Sequence, residues 1–192
     1  MTKLAIIIGS VRQDRVSDKF ASWIAAEAKA YADVEIVDLK DHPLPLFDEP
    51  VPPRYNPKRS PIPVVQTWLS KLSEFDGYII VTPEYNRSMP GVLKNAIDYI
   101  AYEIDKKPVA LVGHGSSGGA QSIANLRSAL PGVGAVTVPE AMYFAHRVND
   151  AITPENELTE ELKDTPYGPR DQLASVLTSL VWYSDVLKTG RE

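Results

Sequence analysis

The sequence predicts one α/β domain over residues 1–192, in which a doubly wound, five-stranded parallel sheet carries helices on both faces. Five short apolar runs recur along the chain, and segments with helical spacing of apolar residues separate them. Three of the runs place Val and Ile on consecutive positions, which is typical of strands that are buried on both faces. This alternation of strands and helices indicates the doubly wound class.

The predicted strands cover residues 4–8, 34–37, 78–81, 109–112 and 135–138. Amphipathic helices are predicted between and after them, because apolar residues recur there every three or four positions. The residues that mark these helices are Phe20, Trp23, Ile24, Ala28 and Tyr31; Val64, Val65, Trp68, Leu69 and Leu72; Val92, Leu93, Ala96, Ile97 and Ile100; Ile123, Leu126 and Leu130; and Leu173, Val176, Leu177, Leu180, Val181 and Leu187.

Two segments interrupt the alternation of strands and helices. Half of the 16 prolines lie within residues 43–63, which therefore cannot form a regular ladder of hydrogen bonds and are predicted to be an irregular loop. A loop of this length is either a surface linker or a functional lid or subunit contact. The polar and acidic residues 149–170 are expected to form a solvated loop with a short helix.

Composition excludes several classes of protein. The chain has no cysteine, so disulfides, Cys-ligated metals and thiol nucleophiles are excluded. A net charge of −5 argues against a large nucleic-acid-binding surface. The apolar run near the start has only about five residues, which is too short for a signal peptide, and no run is long enough to span a membrane. We therefore expect a cytoplasmic protein that binds neither membranes nor nucleic acid.

The first chemically unusual loop, residues 9–17, follows the first strand and opens the first helix. Ser10, Ser17 and Arg12 offer hydroxyl donors and positive charge beside a helix N-terminus, which is a combination that suits a phosphate group. The loop matches neither the dinucleotide fingerprint nor the Walker A motif. The alternative is a plain loop in which Ser17 caps the helix while Arg12 and Arg15 are solvated.

The second loop, residues 82–91, follows the third strand. Ser88 and Pro90 are typical of a helix start, with Ser88 as the N-cap. Residues 83–86 place an aromatic and an amide side chain in a turn at the end of a strand. Together with the backbone amides of the turn, these groups suit a flat heteroaromatic ligand. Glu84 is a candidate general base, although a structural acceptor or a solvated carboxylate is favoured.

The third loop, residues 113–119, holds four glycines, which allow a ligand to approach the backbone closely. His114 lies in this loop. No second histidine or acidic residue stands at metal-ligand spacing, so no metal site is predicted. The loop also lacks the G-x-S-x-G pattern of a nucleophile elbow, which argues against a Ser–His–acid triad.

Together these segments resemble the NADPH-dependent FMN reductase family, which has the flavodoxin-like fold. The matching segments are IIIGSVRQDRVSDKF, DHPLPLFDEPVPP, TPEYNRSMPGVLKNAIDYI and GHGSSGGAQSIANLR, in the family's order and within residues 4–130. The chain departs from the family at Arg87, where many relatives have His or a small polar residue, and at Met89, where Ile or Tyr is usual. Both positions lie near the expected nicotinamide site, so the resemblance leaves the choice between NADPH and NADH open.

The resemblance implies that FMN binds without covalent attachment and that its N5 atom carries the chemistry, so no catalytic side chain is expected. The phosphate would contact Ser10, Arg12 and Ser17, with Arg15 as a weaker candidate. The isoalloxazine would lie beside Pro83, Glu84, Tyr85 and Asn86, with Arg87 and Ser88 completing the turn, and its other edge would meet Gly115, Ser116, Ser117 and Gly118.

The activity implied is an FMN-dependent NAD(P)H oxidoreductase that reduces small acceptors by a ping-pong hydride transfer. Quinones, free flavin, azo or nitro compounds and metal oxyanions are the candidate acceptors. The alternatives are a flavodoxin-type electron carrier, which the mild charge and the TPEYN turn disfavour, and a flavin-binding regulatory module. A homodimer or homotetramer is expected, with the helix at 92–100 and the loop at 43–63 as contact surfaces.

Overall fold

In a computed structural model, which describes residues 1–56, 58–145 and 150–191, one parallel sheet runs through the molecule. Its strands are β1 (Lys3–Ile8), β2 (Asp33–Asp38), β3 (Gly77–Pro83), β4 (Pro108–Gly115) and β5 (Val136–Ala145). The strand order is β2-β1-β3-β4-β5. This is the order of the flavodoxin-like doubly wound fold, so the predicted fold class is confirmed.

Helices cover both faces of the sheet. They are α1 (Ser17–Ala28), α2 (Pro63–Ser73), α3 (Gly91–Asp98), α4 (Ala120–Ala129), α5 (Glu160–Lys163) and α6 (Pro169–Thr189). Buried residues of α1 and α6 pack against one face, and buried residues of α2, α3 and α4 pack against the other. None of the helices in the described part of the chain is long and apolar enough to cross a membrane.

The central strand β3 shows why consecutive apolar residues predict this architecture. All of its residues are buried; Ile79 and Val81 pack with α1 and α6, whereas Tyr78 and Ile80 pack with α2 and α3. Both faces of the strand therefore require apolar side chains, and the usual alternation with polar residues disappears.

The fifth strand is longer than the predicted residues 135–138, because it continues to Ala145. Its register with β4 shifts at a bulge that contains Pro139, which a central strand would not accommodate. Arg127 of α4 donates hydrogen bonds to the freed carbonyls of Val138 (2.7 Å) and Pro139 (2.8 Å). A proline therefore marks an irregularity within this strand and not its end.

The helix ends differ from the predicted stripes. The first helix ends at Ala28, so Tyr31 lies beyond it and is more than one-third exposed. Ile100 lies beyond the end of α3, and Leu130 belongs to a short 3₁₀ turn after α4. All three stripes belong to real helices, but the helices are shorter than the apolar patterns; buried Ile100 and Leu130 lie in the turns that follow their helices.

The proline-rich segment 43–63 is an irregular loop up to the start of α2, as predicted, apart from a short 3₁₀ turn at Pro53–Tyr55 and residue 57, which lies outside the described residues, and the loop is tied to α3. Asn95 of α3 donates to the carbonyl of Pro45 (2.7 Å) and accepts the amide N–H of Phe47 (2.8 Å). The hydroxyl of Tyr99 also donates to the Pro45 carbonyl (3.2 Å). The first part of the loop is therefore held against the helix that follows β3.

The prediction that the acidic segment 149–170 is solvated is wrong for part of this segment. Residue 149 lies outside the described residues. Ile152 and Leu158 form a short antiparallel bridge, and both are buried with Ala151 against the core formed by α1 and α6. The predicted short helix is confirmed as α5. Three apolar residues anchor the segment, and its charged residues remain on the surface.

Candidate active site

The loops that follow β1, β3 and β4 converge on a cleft of about 710 Å³ at the carboxyl edge of the sheet. Ligands of open α/β sheets bind at this edge. The cleft is lined by Arg12, Gln13, Asp14, Arg15, Val16, Ser17, Pro83, Glu84, Tyr85, His114, Gly115, Ser116 and Asp150. The three chemically unusual loops of the sequence therefore lie together.

The two serines of the first loop are buried and hydrogen-bonded to residues far along the chain. The hydroxyl of Ser10 lies 2.9 Å from the hydroxyl of Tyr85. Ser17 is the first residue of α1, and its Oγ lies 2.8 Å from Nε2 of His114. Val16 occupies the N-cap position, so the alternative in which Ser17 caps the helix is wrong.

The two arginines of the loop have different environments. Arg12 is exposed on the cleft wall, and none of the ion pairs among the described residues includes it. Arg15 is not solvated as the alternative supposed: its side chain is only 5% exposed, and its guanidinium pairs with both carboxylate oxygens of Asp38 at the end of β2. The guanidinium also donates to the carbonyl of Ser10. Arg15 therefore anchors the loop, whereas Arg12 is available to a ligand.

The Arg15–Asp38 pair alters the ionisation of both groups. The hydrogen bond to Asp38 raises the pKa of Arg15 above its already high ordinary value. Burial raises the pKa of Asp38, but the hydrogen bonds from Arg15 and from the backbone N–H of Lys40 outweigh burial and hold that pKa below its ordinary value. Both groups therefore stay charged at neutral pH.

His114 is the residue whose role the sequence did not reveal. It lies in β4 beside Pro83 of β3, and its ring stacks on Phe20 of α1 with ring centroids 5.2 Å apart. Burial lowers its pKa to about 4, so the ring is neutral at pH 7. A polar residue at the carboxyl end of an otherwise apolar strand was the available signal, but the partner Ser17 is distant in sequence.

The TPEYN segment forms a tight turn between β3 and α3. The backbone groups of Tyr85 and Ser88 exchange two hydrogen bonds of 2.9 and 3.0 Å. Asn86 and Arg87 both have positive φ, at 50° and 66°, which is characteristic of a type I′ turn. Ser88 therefore closes the turn and is not the N-cap of α3, a position that Pro90 occupies.

Glu84 connects this turn to the loop after β4. Its carboxylate accepts hydrogen bonds from the hydroxyl of Ser117 (3.0 Å) and from the backbone N–H of Gln121 at the start of α4 (2.9 Å). This confirms the interpretation of Glu84 as a structural acceptor. A carboxylate also suits the positive end of a helix.

The loop after β4 continues the wall of the cleft beside Glu84. Gly118 donates its N–H to the carbonyl of Gly115 (2.9 Å), which closes a turn around Ser116 and Ser117. Gly115 has a φ of 134°, a conformation that L side chains rarely adopt. Of the four predicted residues here, Gly115 and Ser116 line the cleft, whereas Ser117 faces Glu84 and Gly118 packs near Tyr143.

Residues 2–150 match the model of the NADPH-dependent FMN reductase family. The chain belongs to this family. It is therefore an oxidoreductase that uses FMN and NAD(P)H, and the resemblance found in the sequence motifs is confirmed. Nothing in the comparisons favours the alternative of a flavodoxin-type electron carrier.

Individual relatives agree with this assignment. The NAD(P)H-dependent FMN reductase of Nectria sp is 37% identical over 136 residues, 68% of each chain. The 2-hydroxy-1,4-benzoquinone reductase of Burkholderia sp is 35% identical over 155 residues, 75% of this chain and 79% of that protein. Among solved structures, the NAD(P)H:(acceptor) oxidoreductase FerB of Paracoccus denitrificans is 25% identical, covers 98% of both chains and has a TM-score of 0.70.

The type I′ turn generates a prediction about stability. Arg87 adopts a left-handed conformation that costs an L residue about 1–2 kcal/mol. Glycine removes this cost but adds conformational entropy to the unfolded chain, so Arg87→Gly should raise the free energy of unfolding by up to about 1 kcal/mol. Urea unfolding measures the effect. Lys94→Gly in α3 is the control and should lose about 1 kcal/mol. Equal losses in the two variants would show that the turn stores no strain.

Proposed function

We propose that the cleft binds FMN and that NAD(P)H and a small electron acceptor then enter the same cleft in turn. The observation that carries the proposal is the division of the cleft into two ends. One end has hydroxyl groups, guanidinium groups and the N-terminus of α1, and the other has an aromatic turn beside a glycine loop. A phosphate and a flat ring, joined by a short chain, are complementary to this division.

The first end fits a phosphate by its donor set. Arg12 supplies a positive charge that forms no ion pair within the described part of the chain, Ser17 supplies a hydroxyl, and the first turn of α1 supplies backbone N–H groups. The Nε of Arg15 is buried and has no hydrogen-bond partner among the described residues, so a donor remains for a ligand oxygen even though Arg15 is paired with Asp38. Ser10 supports this end through its bond to Tyr85.

The second end fits the flavin ring by its shape. Pro83, Glu84 and Tyr85 of the turn line this end together with Gly115 and Ser116 of the glycine loop. In the supporting turn and loop, Asn86, Arg87 and Ser88 keep Tyr85 in place, while Ser117 and Gly118 keep the glycine loop in place.

When bound, FMN supplies the redox chemistry, because it accepts a hydride from NAD(P)H and passes electrons to an acceptor. The protein binds and orients, and the cleft needs no nucleophile. Both carboxylate oxygens of Glu84 already accept hydrogen bonds, so Glu84 acts as a structural link and not as a base. A single cleft that serves both substrates implies a ping-pong order.

Among the candidate acceptors, quinones are supported by the similarity to the Burkholderia benzoquinone reductase. Free flavin, azo and nitro compounds and metal oxyanions belong to the same proposal, because an exposed flavin edge can reduce any of them by direct contact. Both NADPH and NADH are proposed as hydride donors. We place the protein in the cytoplasm as one domain over residues 1–192, with neither membrane nor nucleic acid among its partners.

The phosphate end is tested by comparing FMN with riboflavin. Arg12→Ala should weaken FMN binding at least tenfold and leave riboflavin binding unchanged, because one charge-assisted contact to phosphate contributes about 1.5–3 kcal/mol. Titration of the apoprotein by flavin fluorescence measures both affinities. Lys19→Ala removes an exposed positive charge from α1 outside the cleft and is the matched control. Equal affinity of the wild-type protein for FMN and riboflavin would contradict the assignment.

We also propose a homodimer or homotetramer built on the proline-rich loop and α3. Leu46 and Tyr55 of the loop are 83% and 79% exposed, and Tyr102 beyond α3 is 59% exposed. Contiguous exposed apolar patches commonly mark protein interfaces, and the proposal takes these side chains to form one such patch. Light scattering at micromolar concentration should give a multiple of 21.2 kDa, and Leu46→Asp should lower the mass. A wild-type mass of 21.2 kDa would contradict the proposal.

A further inference from the structure

The buried pair of Ser17 and His114 has a property that the proposed function does not use. Oγ of Ser17 and Nε2 of His114 are 2.8 Å apart, both residues line the cleft, and they are 0% and 4% exposed. Such a short contact between buried groups is a hydrogen bond, and either the Ser17 hydroxyl or the His114 ring is its donor. The direction determines what Ser17 can offer to a ligand.

The imidazole ring of His114 is fixed in place. Phe20 stacks nearly parallel to it at 15°, and Phe144 packs edge-on against Phe20 with ring centroids 4.8 Å apart. The backbone of His114 lies within β4 and is paired with β3 and β5. The position of Nε2 is therefore constant, and the only variable is which ring nitrogen carries the proton.

A neutral imidazole has one N–H, and burial keeps this ring neutral by lowering its pKa to about 4. If Nε2 lacks the proton, Ser17 must donate its only hydrogen to the ring and can present only lone pairs to the cleft. If Nε2 carries the proton, the ring donates to Ser17, and the Ser17 hydrogen is free to point elsewhere. Only the second arrangement attracts an anionic phosphate, which accepts hydrogen bonds.

We propose that His114 is a positioning residue for phosphate: its Nε2–H donates to Ser17 and turns the Ser17 hydroxyl hydrogen into the cleft. The pair thereby makes the cleft select a flavin that carries a phosphate over the same flavin without one. This inference rests on the proposed binding of FMN.

The test is a comparison of FMN and riboflavin affinities in variants of the two residues. His114→Leu removes the donor, and Ser17→Ala removes the hydroxyl; each should lower the FMN affinity roughly tenfold relative to the riboflavin affinity. His114→Gln keeps an N–H at similar reach and should retain most of the preference. The double variant should lose no more than either single variant, because both changes remove the same interaction.

Three results would overturn the inference. One is an equal loss of FMN and riboflavin affinity in His114→Leu, which would indicate a packing role alone. Another is additive losses in the double variant. The third comes from ¹⁵N NMR of the histidine rings in the wild-type protein saturated with FMN, where comparison with His114→Gln assigns the His114 signals. We expect the Nε2–H tautomer of His114. The Nδ1–H tautomer would refute the proposal even if the leucine variant does not fold.

Failure of this inference is distinguishable from failure of the proposed function. If the wild-type protein prefers FMN over riboflavin and the His114 variants keep that preference, only the role of His114 is wrong. If the wild-type protein shows no preference, the phosphate end of the proposed site is wrong as well.

Discussion

Three hydrogen bonds between side chains join the loops that follow β1, β3 and β4, and the cleft depends on them. Ser10 contacts Tyr85 at 2.9 Å, Ser17 contacts His114 at 2.8 Å, and Ser117 donates to Glu84 at 3.0 Å. Each bond crosses from one strand end to another. The parallel sheet brings the strand ends together, and these bonds convert three separate loops into one wall, because a bonded loop has fewer conformations open to it.

The two arginines of the first loop use their positive charge for different purposes. The positive charge of Arg15 is neutralised by Asp38 and serves to hold the first loop against β2. Arg12, three residues earlier, lies on the cleft wall without an ion pair among the described residues. In a chain with a net charge of −5, this guanidinium lies beside a helix N-terminus. It provides local attraction for an anion although the overall charge of the chain is negative.

The sequence predicted the fold well because its signals were local: buried parallel strands require consecutive apolar residues, and β1, β3 and β4 show them. The second half of β5 was missed because Pro139 sits in a bulge whose carbonyls are satisfied by Arg127 from another element. The sequence predicted the three loops of the site but not the contacts between them. Ser17 and His114 are 97 positions apart, and no local pattern reveals such a pair.

In the proposed function, hydride from NAD(P)H reaches FMN in this cleft without help from an acceptor or a partner protein. Anaerobic stopped-flow mixing of the FMN-loaded protein with NADPH or NADH measures this step alone. We expect the flavin absorbance to bleach with at least one of the two nucleotides, at a rate no slower than turnover, and to return when a quinone is added. A flavin that stays oxidised with both nucleotides, yet is bleached by a chemical reductant, would show that NAD(P)H does not reduce it.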